Sequence, residues 1–147
     1  MMNTRKQQTG SMLLEALIAI LIFSMGILAV VGLQAASIKN AGDAKYRSDA
    51  SLLANQLVGQ MLVGNRATLA TLQANFQSPN GPAYISWLNG VAAALPGASA
   101  VPPTVVIAQT ASTSAGTPSK QATITIRWNA PSEAPGAHTY TTVAQIR

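Results

Sequence analysis

No cysteine occurs among the 147 residues, only one histidine, His138, and only four acidic residues, Glu15, Asp43, Asp49 and Glu133. Without cysteine there is no disulfide framework and no thiolate metal site, and cysteine usage says nothing about compartment. One histidine and four dispersed carboxylates are too few titratable groups for a catalytic or metal-binding constellation, so no enzymatic activity, cofactor, metal or small-molecule substrate is expected. Asp43 and Asp49 stand among Lys39, Lys45 and Arg47 and read as a solvated helix face with local ion pairs, not as the oxygen cluster a calcium ion needs. His138, beside a predicted strand, reads as a surface or turn residue. Charged residues make up 9% of the chain, against about 25% in an ordinary soluble domain. The formal charge is +5. Arg5 and Lys6 open the chain, and Lys39, Lys45, Arg47, Arg66, Lys120, Arg127 and Arg147 are scattered and form no basic stripe, so nucleic acid is not an expected partner. Proline is absent before Pro79, so nothing in the first half of the chain forces a helix to stop.

What is present is apolar and concentrated. Of the 28 residues from Ser11 to Ile38, 21 are hydrophobic. Between Glu15 and Lys39 lie 23 consecutive uncharged residues, which as a helix extend roughly 34 Å and so span a hydrocarbon core of about 30 Å. A cleaved secretory signal, cut near Ala35-Ala36-Ser37, is the simplest alternative. The run is about twice as long as a signal core, and Glu15 at its leading edge is costly in lipid, which marks it as functional.

The order is a basic pair, the polar Gln7-Gln8-Thr9, then Gly10-Ser11-Met12-Leu13-Leu14-Glu15 and the long apolar run. This resembles a type IV prepilin leader. The resemblance implies that a membrane prepilin peptidase cuts between Gly10 and Ser11, that the new Ser11 amine is a site of methylation, and that Glu15, fifth in the mature chain, drives subunit assembly by pairing with the terminal amine of a neighbouring subunit. Glycine before the cut leaves an extended backbone unobstructed in a protease cleft. Two departures stand out: the family mostly carries an aromatic residue or methionine where this chain has Ser11, and many major pilins have a proline in the apolar helix, where this chain has only Gly26 and Gly32. Those glycines are read either as points of local melting or as places of close packing against another helix.

Past Ile38 the helical pattern continues through Lys39, Asp43, Arg47 and Asp49. Leu53, Leu57 and Met61, extended by Leu62, Leu69, Leu72 and Phe76, predict an amphipathic helix packed on a small sheet. Gly59 and Gly64 interrupt any heptad, which argues against a coiled coil. Ser78-Pro79-Asn80-Gly81-Pro82 is a break, Tyr84 to Leu95 a short helix ending at Pro96-Gly97, and Thr104 to Ala108 a strand. Gln109 to Ser119 reads as a loop. Ala122, Ile124, Ile126 and Trp128 alternate with Thr123, Thr125 and Arg127 in the clearest strand, and Thr139 to Ile146 forms a second, antiparallel to it across a long connection. Trp87, Trp128, Tyr84 and Tyr140 are assigned to core packing rather than to an adhesive patch.

The expected architecture is therefore α+β and pilin-like: a long N-terminal helix, membrane-embedded in its first half, on a small antiparallel sheet. The resemblance divides the chain into a leader, 1–10, a transmembrane and filament-core helix, 11–38, and a helix continuation with an α+β head, 39–147. Gly26-Ile27-Leu28, Val31-Gly32-Leu33-Gln34, Ala54-Asn55-Gln56-Leu57 and Ile124-Thr125-Ile126-Arg127-Trp128 are most similar to minor pilins of the PilV type. This implies a structural subunit of a type IV pilus. Its expected partners are prepilin peptidase, other minor and major pilins and the bacterial inner membrane, with the N-terminus cytoplasmic and the head periplasmic before assembly into a surface filament. A type II secretion pseudopilin, which shares the leader, Glu15 and the architecture, is the nearest alternative. An exported adhesin or DNA-binding module acting through Lys120 and Arg127 is the alternative from another class.

Overall fold

The computed structural model describes residues 9–110, 119–131 and 133–146. Three helices, α1 (Thr9–Val63), α2 (Leu69–Phe76) and α3 (Pro82–Ala94), precede three strands, β1 (Thr104–Gln109), β2 (Lys120–Trp128) and β3 (His138–Ile146). The chain divides after Gly42 into two units, and α1 runs through both. In residues 10–42 nothing is buried, and Leu13, Phe23 and Leu28 are 66%, 68% and 76% exposed. This segment carries the one candidate membrane span among the described residues.

The second unit is an α+β head. Its core takes Ala50, Ala54, Leu57 and Met61 from α1, a helical stripe of spacing four, three, four. Leu72 and Phe76 come from α2, Tyr84, Trp87 and Val91 from α3, and Leu95 and Ala98 from the turn that follows. Opposite them stand Val105 and Ile107 of β1, Ala122, Ile124, Ile126 and Trp128 of β2 and Ile146 of β3. The sheet order is β1-β2-β3, antiparallel throughout, with Val105 opposite Ile124 and Ile126 opposite Tyr140. From Ala122 to Trp128 every second residue of β2 is buried, the period of a strand with one face on a core.

Three details depart from expectation. The periodicity across residues 53–76 is not one helix: α1 ends at Val63 and α2 starts at Leu69 with Thr68 as N-cap, its hydroxyl accepting from the Thr71 N–H at 3.1 Å. Gly64 and Asn65 lie in the break, and Leu62 is 41% exposed while Ala50 and Ala54 take core places. Gln109 belongs to β1 rather than to the loop, Thr110 donates its N–H to the Ser119 carbonyl at 2.8 Å, and the residues between them, 111–118, lie outside the described residues. The early strand also joins the sheet, through β2.

The breaks are built from their own residues. At Gly81, the N-cap of α3, a Cβ would run into the Asn75 carbonyl, so only glycine lets the chain pass so close to α2. Pro82 then takes the first helical position, where no N–H is required. Gly97 holds φ at 74°, the left-handed region that favours glycine, directly beneath the Asn129 side chain.

Candidate functional site

Gly10, Ser11 and Glu15 all sit in the first turns of α1 and all are exposed. Ser11 and Glu15 are four residues apart, which places them on one helix face. A Cβ on Gly10 would meet nothing within 4 Å, and the same holds for Gly26 and Gly32. These three glycines therefore meet no packing demand of the chain itself, although each costs about 1 kcal/mol relative to alanine in a helix. The Gly10–Ser11 peptide bond lies within the helical stretch of α1.

The apolar surface behind Glu15 is continuous. The Ser24 hydroxyl within it is satisfied in the helix itself, donating to the Ile20 carbonyl at 2.7 Å. Glu15 is thus the one charged group within the span from Gly10 to Ile38.

In the head the polar groups serve the fold. Tyr84 donates to the Pro103 carbonyl at 2.7 Å and Trp87 Nε1 to the Leu53 carbonyl at 2.9 Å. Burial raises the Tyr84 pKa above the ordinary phenol value. With Trp128 buried and Tyr140 half-buried beside Ser51, the four aromatic residues lie in or against the core. Lys45 pairs with Asp49 at 3.5 Å, as the sequence suggests. His138 has a partner invisible in the sequence: its Nε2 lies 2.7 Å from Glu133 Oε2, and its ring stacks on Trp128 at 5.6 Å. Glu133 Oε2 also accepts from the Ala130 N–H at 3.2 Å, so the carboxylate staples the turn between β2 and β3.

No protein-family model, curated protein or solved structure matches the chain. Among the described residues no three His, Cys, Asp or Glu side chains gather in a form able to hold a metal ion. Lys120 and Arg127 do not form one surface: seven residues apart on β2, they project to opposite faces. The Lys120 ammonium donates to the Arg66 and Ala67 carbonyls at 2.5 and 3.3 Å, tying down the end of the α1–α2 break.

Proposed function

We propose that the chain is a non-catalytic minor pilin of the PilV type, inserted in the bacterial inner membrane with its N-terminus cytoplasmic and its head periplasmic, then built into a type IV pilus with other pilins. One observation carries this reading: the exposed apolar stretch 10–38 of α1 bears a single carboxylate, Glu15, at its leading edge, five residues after a glycine that the fold does not need. Hydrolysis between Gly10 and Ser11 by prepilin peptidase releases the leader with Arg5 and Lys6 and leaves an ammonium on Ser11 at the start of the retained helix.

That ammonium and Glu15 then face each other across subunits. Alone in lipid the carboxylate is expensive; paired at about 4 Å it recovers about 4 kcal/mol at an effective dielectric constant near 20. The desolvation cost becomes a drive toward assembly. Glu15→Gln, in cells with active peptidase, is expected to be cleaved normally yet to enter filaments about tenfold less or worse, equivalent to roughly 1.4 kcal/mol. Cleavage and filament incorporation both at wild-type levels would remove the pairing role.

A further inference from the structure

Two Asn-Gly pairs occur in the chain, Asn80-Gly81 and Asn89-Gly90. In such a pair the backbone nitrogen of the glycine is a nucleophile within reach of the asparagine side-chain carbon, because no Cβ obstructs its approach. In a folded chain the reaction waits on local opening, so its rate is set by how much structure must yield around the pair. At Asn89-Gly90 that is a great deal. The pair lies inside α3 between Trp87 and Val91, both buried in the core, and the Gly90 nitrogen belongs to the helix ladder. Freeing it breaks the middle of α3 and draws those side chains out of the core.

At Asn80-Gly81 little has to yield. Asn80 is exposed in the turn between α2 and α3, on an open recess that Gln73, Gln77, Ser78 and Pro79 also line. Among the described residues its side-chain amide makes no hydrogen bond. One bond holds the nucleophile, from the Gly81 N–H to the Gln77 carbonyl at 3.0 Å, and a single turn hydrogen bond opposes opening by about tenfold. Glycine is also obligatory here, since a Cβ on Gly81 would run into the Asn75 carbonyl, whereas one on Gly90 would meet nothing within 4 Å. The packing of the head therefore keeps the reactive pair at the exposed turn.

We propose that Asn80-Gly81 is a site of spontaneous deamidation, and that its isoaspartyl product loosens the cover of the β1 edge. The Gly81 nitrogen gives its proton to solvent and bonds to Asn80 Cγ, the bond from Cγ to the side-chain nitrogen breaks, and that nitrogen leaves as ammonia with a proton from water. Water then adds to one of the two carbonyl carbons of the five-membered imide. Opening at one gives aspartate; opening at the other leaves the main chain running through Cγ, one methylene longer. That methylene falls between two fixed ends. On one side Gly81 abuts Asn75 and Pro82 opens α3, which Tyr84 and Trp87 anchor in the core. On the other, Ser78 donates from its backbone N–H and from its hydroxyl to the Val105 carbonyl, both at 3.1 Å, and its hydroxyl oxygen accepts from the Val105 N–H at 3.0 Å. The hydrogen bonds of Ser78 are the weaker hold, so the longer segment lifts Ser78 from β1.

The test ages the full chain in detergent at mildly alkaline pH, with and without urea, and follows both pairs by peptide mass spectrometry, isoaspartate being told from aspartate by a protease that cuts only before aspartate. Unfolded, the two pairs are expected to react at similar rates. Folded, Asn80 is expected to stay within about tenfold of its unfolded rate, and Asn89 to fall about a hundredfold or more below its own. Suppression of Asn80 as strong as that of Asn89 would overturn the site. The cover is read as hydrogen exchange at the Val105 N–H, expected to run about tenfold faster in isoaspartyl chains than in fresh ones. Asn80→Asp, which carries the charge without the extra methylene, and aged Asn80→Gln, whose longer side chain closes a ring far more slowly, are expected to keep the fresh rate. Exchange unchanged in isoaspartyl chains, or equally raised in Asn80→Asp, would overturn the loosening of β1.

Discussion

At the scale of single residues, Tyr84 joins the core to the backbone of the chain ahead of β1. Tyr84→Phe keeps the ring but leaves the buried Pro103 carbonyl without its donor, an expected loss of about 1–3 kcal/mol in thermal or urea unfolding of the full chain in detergent. The same residue sets an alkaline limit. Because burial raises the folded-state pKa, the unfolded chain ionises first. This contribution to stability is fully present below about pH 10 and is lost as pH rises through the folded-state value. Wild type is expected to lose stability above about pH 10 more steeply than Tyr84→Phe; parallel pH profiles of the two would contradict this. Gly97→Ala is expected to cost more than an ordinary surface change, about 1–3 kcal/mol, because it meets both a positive φ and the Asn129 side chain. The His138–Glu133 contact at 2.7 Å was illegible in the sequence. It depends on how the turn between β2 and β3 brings two residues together, and a separation of five residues in sequence says nothing about that.

At the scale of elements, periodicity was a good guide where one physical environment held along a whole element. β2 has a packed face and an open face from end to end, so its alternation was visible, and the absence of proline before Pro79 allowed a helix as long as α1. It misled at residues 62–69, where apolar spacing continues through a backbone break. Leu57, Leu72 and Phe76 are all core residues, yet they come from two helices, and the signal lay in Gly64, Asn65 and Thr68. The partnership of β1 with β2 depends on contacts between residues such as Val105 and Ile124, a separation that local pattern does not encode. Leu57→Ala, which empties a fully buried place where α1 meets the core, is expected to cost about 2–5 kcal/mol in the same unfolding measurement. Leu52→Ala, one turn away on the exposed side, is expected to change stability by less than about 0.5 kcal/mol.

At the scale of the whole molecule, two units carry two kinds of work. The head buries aromatic and aliphatic residues in its own core, while residues 10–42 bury none and leave a surface that water does not favour. The positions that define the proposed function, Gly10, Ser11 and Glu15, were legible in the sequence because they are a local motif on one helix. The joining of β1, β2 and β3 into one sheet was not, since it depends on pairing between residues far apart in sequence. The central claim is that the chain is cut between Gly10 and Ser11 and keeps its apolar helix. Mass spectrometry of the chain's N-terminus, in cells with and without prepilin peptidase, tests it most directly. A chain that begins at Ser11 only when the peptidase is present is the predicted result; one that begins after Ser37, or is unchanged by loss of the peptidase, would contradict it.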